Sequence, residues 1–173
     1  MRVLRLHEIG GPERLVLEDI EKPEPDRGEV RVALKAAALN RRDVWITVGA
    51  YPRIQFPAVC GSDGSGTIDA VGTGVDKRMI GREVVIYPAR DWGDDPRCGG
   101  EHFRVLGMPD QGTFAEFICV PQDSVVDKPG HLSWAEAAAI PLAGMTAWRA
   151  VVTHGEVKSG QKVLVTGIGG GCA

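Results

Sequence analysis

The chain has 173 residues, 43% hydrophobic and 25% charged, with 23 Gly, 11 Pro and 4 Cys. That length carries one good-sized core, or one domain and part of another, but not two complete domains of ordinary size. Twenty basic residues against 23 acidic ones leave a net charge of −3. No basic run exceeds Arg41-Arg42 and the acids are scattered, which disfavours nucleic-acid and membrane-surface partners.

The first residues, Met1-Arg2-Val3-Leu4-Arg5, contain no uninterrupted apolar core and no small-residue cleavage site, so no secretory signal is read. Residues 2–6 and 15–20 are short apolar-rich runs flanking Gly10-Gly11-Pro12, turn chemistry between two strands. Pro23 and Pro25 break the chain before residues 29–38, a strand run. Residues 64–71, 83–87 and 113–120 are further strand-like segments bounded by Gly, Pro or Asp. Several short strands without long intervening helices predict a compact, partly open β-barrel unit.

Residues 90–111 are polar and rich in Gly and Pro, the pattern of a long surface loop, and loops of that length are usually functional or mobile. The periodicity then changes. Ser133 followed three residues later by Glu136 is a capping box, and residues 135–139 and 142–152, either side of Pro141, predict two alanine-rich helical segments. The stretch 135–152 is interrupted by Glu136, Pro141 and Arg149 and does not predict a membrane span. Lys158-Ser159-Gly160-Gln161 predicts a turn, and residues 162–166 an apolar strand running into Gly167-Ile168-Gly169-Gly170-Gly171. The organisation expected is a β-rich domain to residue 130, then residues 131–173 as a helical hinge and the opening of an α/β unit.

A buried strand ending in closely spaced glycines is how a dinucleotide-binding fold begins. Glycine permits the tight turn and lets backbone N–H groups approach a pyrophosphate at the positive end of the next helix. Gly167, Gly169, Gly170 and Gly171 are therefore candidate cofactor-binding residues, with a purely structural turn as the alternative. The cysteines at 60, 98, 119 and 172 contain no Cys-x-x-Cys pair; four reduced thiols in a cytoplasmic protein are expected. The histidines at 7, 102, 131 and 154 form no ligand spacing either.

The order of several stretches resembles the medium-chain dehydrogenase/reductase superfamily: Pro23 and Pro25 with Gly28-Glu29-Val30; Ala38-Leu39-Asn40-Arg41-Arg42-Asp43; Pro57 with Gly61-Ser62-Asp63-Gly64; Gly81-Arg82-Glu83; Gly112-Thr113-Phe114-Ala115-Glu116; and Ala137 to Pro141 followed by Leu142, Gly144 and Thr146. Each is weak alone, whereas their joint order is specific. The resemblance implies a GroES-like catalytic domain, a helical hinge and a Rossmann nucleotide domain, of which this chain would hold only the first strand. A fragment of a longer enzyme, with little activity by itself, is the expectation.

Zinc-dependent members of that superfamily carry Cys where Asn40 stands and Gly-His-Glu where Gly61-Ser62-Asp63 stands, and their structural zinc lobe has four Cys where residues 90–111 hold only Cys98. An amide and a hydroxyl are poor substitutes in a site needing three protein donors, so no zinc is expected and Cys60 is read as a small buried apolar residue. The resemblance then points to the quinone oxidoreductase and enoyl reductase branch. It implies hydride transfer from NADPH, preferred over NADH, to a quinone or activated alkene or carbonyl as the small-molecule substrate. In that branch Asn40 and nearby aromatics line the substrate pocket. Tyr51 falls where enoyl thioester reductases place a proton-donating Tyr, and Trp45 where some quinone reductases have another Tyr. Thr146 matches a position that contacts the nicotinamide.

Each assignment has a structural alternative: core or rim aromatics for Trp45 and Tyr51, a helix cap for Asn40, and a helix residue bonding its own backbone for Thr146. Asp43 and Glu116 are expected to serve in structural hydrogen bonds. A homodimer is implied for the full-length protein. The competing readings are a non-catalytic GroES-like binding or scaffold module completed by another chain, and a zinc-type alcohol dehydrogenase-like enzyme.

Overall fold

The computed structural model describes residues 1–167 and Gly169. Strand β1 (Arg2–Leu6) turns through Gly11, whose φ of 108° suits glycine, and a one-turn helix at Pro12–Arg14. It returns as β2 (Leu15–Asp19), antiparallel to β1 with Leu6 opposite Leu15. Strand β3 (Glu29–Ala38) is followed by helix α1 (Arg41–Thr47), the two-residue β4 (Ala58–Val59) and β5 (Asp63–Val71). Strands β6 (Glu83–Ile86), β7 (Ala89–Arg90), β8 (Arg104–Val105), β9 (Phe117–Pro121) and β10 (Val125–Asp127) complete the sheets. They form a five-stranded sheet ordered β10-β6-β5-β3-β9, a three-stranded sheet β2-β1-β4 and the ribbon β7-β8. All their pairings are antiparallel, and a bridge from Val3 to Ala115 joins β1 to the approach of β9.

The larger sheet is held by its cross-strand apolar pairs. Val30 faces Val120 and Val32 faces Ile118 across β3 and β9, and Val32 faces Ile68 across β3 and β5. These side chains gather with Val84, Ile86 and Leu106 into one buried cluster. Each fully buried Val or Ile contributes about 1.5–3 kcal/mol relative to exposure. Leu6, Ile46, Ala58, Cys60 and Met108 form a second cluster, against which Tyr51 and Phe114 pack. The candidate site lies along this second cluster, where α1 meets the start of β5.

The resulting architecture is the predicted β-rich, partly open barrel followed by a helical hinge, with differences in detail. Residues 113–116 are not strand: the N–H groups of Thr113 and Phe114 donate to the carbonyls of Gly61 and Cys60, and that of Glu116 to Arg2. Their partners are a loop and another sheet, so no ladder forms before Phe117. The segment 90–111 is not wholly a surface loop. It carries the short ribbon, and Leu106 and Met108 are both 2% exposed.

The hinge begins as expected. Ser133 caps α2 (Trp134–Ala138), accepting the Glu136 N–H while the Glu136 carboxylate accepts the Ser133 N–H. Helix α3 (Pro141–Trp148) continues into a π-helical turn at Arg149–His154. The strand expected at residues 162–166 is not formed. Among the described residues nothing pairs with it, and a strand exists only as a member of a ladder. Among the described residues no helix is long and apolar enough to cross a membrane.

Candidate active site

Asn40 is the N-cap of α1, which places its neighbours at the mouth of the second cluster. The Asp43 carboxylate accepts the Asn40 N–H at 2.8 Å and the Gly61 N–H at 3.0 Å. The Asn40 side-chain amide reaches across to Asp63 Oδ2 at 2.8 Å, while Asp63 Oδ1 accepts the Leu142 N–H from the hinge, also at 2.8 Å. One carboxylate thus ties α1 to β5 and to α3. The cap reading and the site reading of Asn40 are therefore compatible: its backbone bonds to Asp43 and its amide to Asp63.

The loop that presents these groups depends on glycine. Gly61 has φ of 91°, and a Cβ there would lie 2.5 Å from the Phe114 ring. Gly112 packs so closely that its Cβ would come within 2.1 Å of the Gly61 carbonyl. Backbone bonds from Gly112 to Val59 and from Thr113 to Gly61 need this approach.

Arg42 is the residue that sequence reasoning missed. Its Nη1 donates to the Ser62 hydroxyl and the Leu106 carbonyl, and its Nη2 to the Met108 carbonyl at 3.0 Å and the Tyr51 hydroxyl at 3.1 Å. The guanidinium carbon lies 4.9 Å from the centre of the Tyr51 ring. Ser62 passes its own proton to the Leu106 carbonyl at 2.8 Å. The Arg41-Arg42 doublet carries no sequence signal for these partners, which lie nine, 20, 64 and 66 positions away.

Two acids beside this cation are almost completely enclosed, Asp43 at 5% and Asp63 at 1% exposure. Burial raises the pKa of both. The N–H donors to Asp43 and the Asn40 and Leu142 donors to Asp63 oppose the rise, as does the Arg42 charge on each. Burial, assisted by the Asp43 charge, pushes the Cys60 thiol up to about 11.

The other sequence-derived candidates are distributed as follows. Tyr51 is half-buried against the second core cluster, with its hydroxyl on Arg42. Trp45 sits on α1, 51% exposed, outside the hydrogen-bonded group. Thr146 lies on α3 and donates to the Leu142 carbonyl at 2.8 Å. Glu116 pairs with the backbone and guanidinium of Arg2. Gly167 has φ of 74° and open space where a Cβ would stand. The carbonyl of Gly169 accepts a hydrogen bond from Arg41 Nη2 at 2.9 Å. Gly170 and Gly171 lie outside the described residues. A positive-φ glycine turn with a guanidinium beside it suits a dinucleotide pyrophosphate.

The same positions do not suit zinc. Among the described residues no three His, Cys, Asp or Glu side chains converge. The amide of Asn40 is engaged by Asp63, and the hydroxyl of Ser62 by a cation. A catalytic zinc needs three protein donors.

A cleft of about 680 Å³ opens between the ribbon loop and the hinge; Thr146 lines it and Leu142 links it to Asp63, whereas Asn40, Trp45 and Tyr51 are not among its lining residues. Tyr87, Trp92 and Phe103 form one wall, and Met145, Thr146 and Arg149 the other. Trp92 and Phe103 meet edge to face with centroids 4.8 Å apart, and the Arg149 guanidinium stacks 4.2 Å from the Trp92 ring centre. The aromatic wall had one sequence signal, two large rings in an otherwise polar loop.

A GroES-like barrel whose open edge meets a hinge and a glycine turn defines the class, and the comparisons agree. Residues 26–130 match the alcohol dehydrogenase GroES-like domain family; the chain belongs to that family and, with it, to the medium-chain dehydrogenase/reductase superfamily. It is 39% identical to a zinc-type alcohol dehydrogenase-like protein YogA of Leptosphaeria maculans, covering 92% of this chain and 47% of that protein. It is 31% identical to a quinone oxidoreductase of Lama guanicoe, covering 99% of this chain and 46% of that one. Among solved structures, a putative alcohol dehydrogenase from Sinorhizobium meliloti 1021 superposes with a TM-score of 0.90 at 31% identity, covering 99% of this chain and 52% of that chain. The chain spans about half the length of the curated relatives it matches.

Proposed function

We propose that this chain supplies the catalytic domain (residues 1–130) and the hinge with the opening of the nucleotide domain (residues 131–173) of a zinc-independent, NADPH-preferring oxidoreductase. The protein reduces a quinone or an activated alkene or carbonyl. The observation that carries this reading is the Arg42 guanidinium bonded to Ser62 and Tyr51, with an aromatic cleft joined to the same group through Leu142 and Asp63. Likeness to a quinone oxidoreductase supports it.

Bound nicotinamide supplies the hydride. Thr146 and the glycines at 167, 169, 170 and 171 would hold the cofactor, and Arg41 would add a positive charge there. The aromatic wall of Tyr87, Trp92 and Phe103 takes a flat acceptor and excludes water. From α1 and the segment after it, Trp45 would shape an outer rim, Asn40 would face the substrate with its amide fixed by Asp63, and Tyr51 would supply a proton. The enzyme is a cytoplasmic homodimer that associates through its nucleotide domain.

The test is NADPH oxidation by the full-length protein with panels of quinones, enones and enoyl thioesters, alongside metal analysis. Turnover without bound metal is expected. Replacing Tyr51 with Phe lowers kcat about 10²–10⁴-fold, the range for loss of a positioned proton donor, with KM little changed. Absence of both turnover and NADPH binding would overturn the proposal, and stoichiometric zinc lost together with activity would overturn its metal-free part.

The exposure of Val163, Leu164 and Val165, at 51%, 87% and 53%, would also fit a non-catalytic module that another chain completes. Cofactor binding by the full-length protein separates that reading from the enzyme.

A further inference from the structure

The positions at which zinc-dependent relatives are expected to carry Cys and His are held here by Asn40 and Ser62, and both side chains are already committed. Asn40 bonds to Asp63, and Ser62 accepts from Arg42 while donating to the Leu106 carbonyl. Arg42 reaches the enclosed side of this loop from the first turn of α1. Its two terminal nitrogens make four hydrogen bonds, two to backbone carbonyls of the 106–108 segment and two to the hydroxyls of Ser62 and Tyr51. Every one of those acceptors is an oxygen, and a guanidinium presents its donors in a fixed fork that a lysine would not reproduce.

The charge arrangement points the same way. Asp43, in the first turn of α1, and Asp63, at the start of β5, are buried carboxylates on either side of the site. Among the described residues Arg42 is the basic side chain bonded into their surroundings. Buried charges persist when they are paired or compensated nearby. A dication placed beside Ser62 would meet this fixed positive charge at close range and be repelled by it.

We infer that the Arg42 guanidinium is the resident cation of this site. It takes the electrostatic place that a metal ion fills in zinc-dependent relatives, keeps metal out, and positions Tyr51. The inference rests on the zinc-independent reading above, but it makes a separate claim. The site is metal-free because a side chain occupies the cation's place, beyond the loss of the Cys and His ligands. Restoring ligands alone should therefore not restore a zinc site.

The test compares zinc binding by the full-length N40C/S62H and N40C/R42T/S62H variants, with the wild type as background for its other thiols. With Asp63 as the third donor, the triple variant should bind zinc about 10–100-fold more tightly than the double variant, the range over which groups around metal ligands alter affinity. The double variant should stay near the wild-type background. Equal zinc affinity in the two variants, or none in the triple variant, overturns the inference while leaving wild-type turnover without metal intact.

A second measurement avoids the multiple substitutions. R42G should melt below the wild type, and added methylguanidinium should raise its melting temperature while leaving the wild type unmoved. Methylammonium at the same concentration should move neither. If methylguanidinium does nothing, or methylammonium works as well, the guanidinium is not held by this oxygen cage and the inference fails.

Discussion

Asp63 carries three tasks on one carboxylate: it fixes the Asn40 amide, anchors the first turn of α3 through the Leu142 N–H, and begins β5. The groups facing it are Asn40, the Leu142 N–H, the Asp43 carboxylate and the Arg42 guanidinium. Because burial raises its pKa in the folded state above the ordinary 3.8, the fold binds more protons than the unfolded chain in the interval just above that value. Its contribution to stability is accordingly greatest at low pH and declines as pH rises through the raised folded pKa. Asn at this position cannot titrate. The stability advantage of the wild type over D63N should therefore shrink between about pH 4 and about pH 7, read from urea unfolding at the two ends. An advantage that grows with pH would contradict the burial-dominated environment. None of this coupling was legible in sequence, because Asp63, Asn40 and Leu142 are far apart in the chain and only the fold brings them together.

Among the elements, those set by local chemistry were legible and those set by distant partners were not. Strand β3 has the limits its turn residues and apolar run imply, and the Ser133–Glu136 capping box starts α2 where its spacing places it. Residues 113–116 read as strand as the start of the run 113–120, yet the N–H groups of Thr113, Phe114 and Glu116 are claimed by residues 61, 60 and 2. The loop at Gly61 shows how tightly that crossing is built. G61A should cost the left-handed backbone penalty of about 1–2 kcal/mol and, in addition, the displacement of the Phe114 ring 2.5 Å from the new methyl. Gly74 has a similar φ of 88° with nothing within 4 Å, so G74A should show the backbone penalty alone. Urea unfolding of the two variants measures the difference; equal losses would mean that Phe114 yields without cost.

At the scale of the whole molecule, the apolar surface left on the hinge side is as informative as the core. Trp148 is 65% exposed and Leu164 87%, alongside the unpaired run 162–166. Residues of that kind gain when a sheet and its covering helices enclose them. Under the proposed function, amide hydrogen exchange at residues 163–165 should be fast in the 173-residue chain and slow by orders of magnitude in a longer protein that also carries the nucleotide domain, as exchange from a paired central strand requires. Equally fast exchange in both would mean that the nucleotide domain does not take up this strand. Of the glycine-rich pattern, Gly167 has a left-handed φ of 74° that favours glycine, a demand that sequence can show. The strand before it was legible as an apolar run but not as structure, since pairing is a property of the partner.

The cysteine beside the active loop has a chemical consequence of its own. Quinones and activated alkenes are electrophiles that add thiolates, so if the proposed substrates are the true ones, a reactive thiol in this loop would be open to modification by them. Cys60 is fully enclosed and its thiol is pushed up to about 11, which leaves roughly one molecule in ten thousand deprotonated near neutral pH. Since the thiolate is the reactive form, the burial that makes Cys60 part of the core also leaves it poorly reactive toward electrophiles.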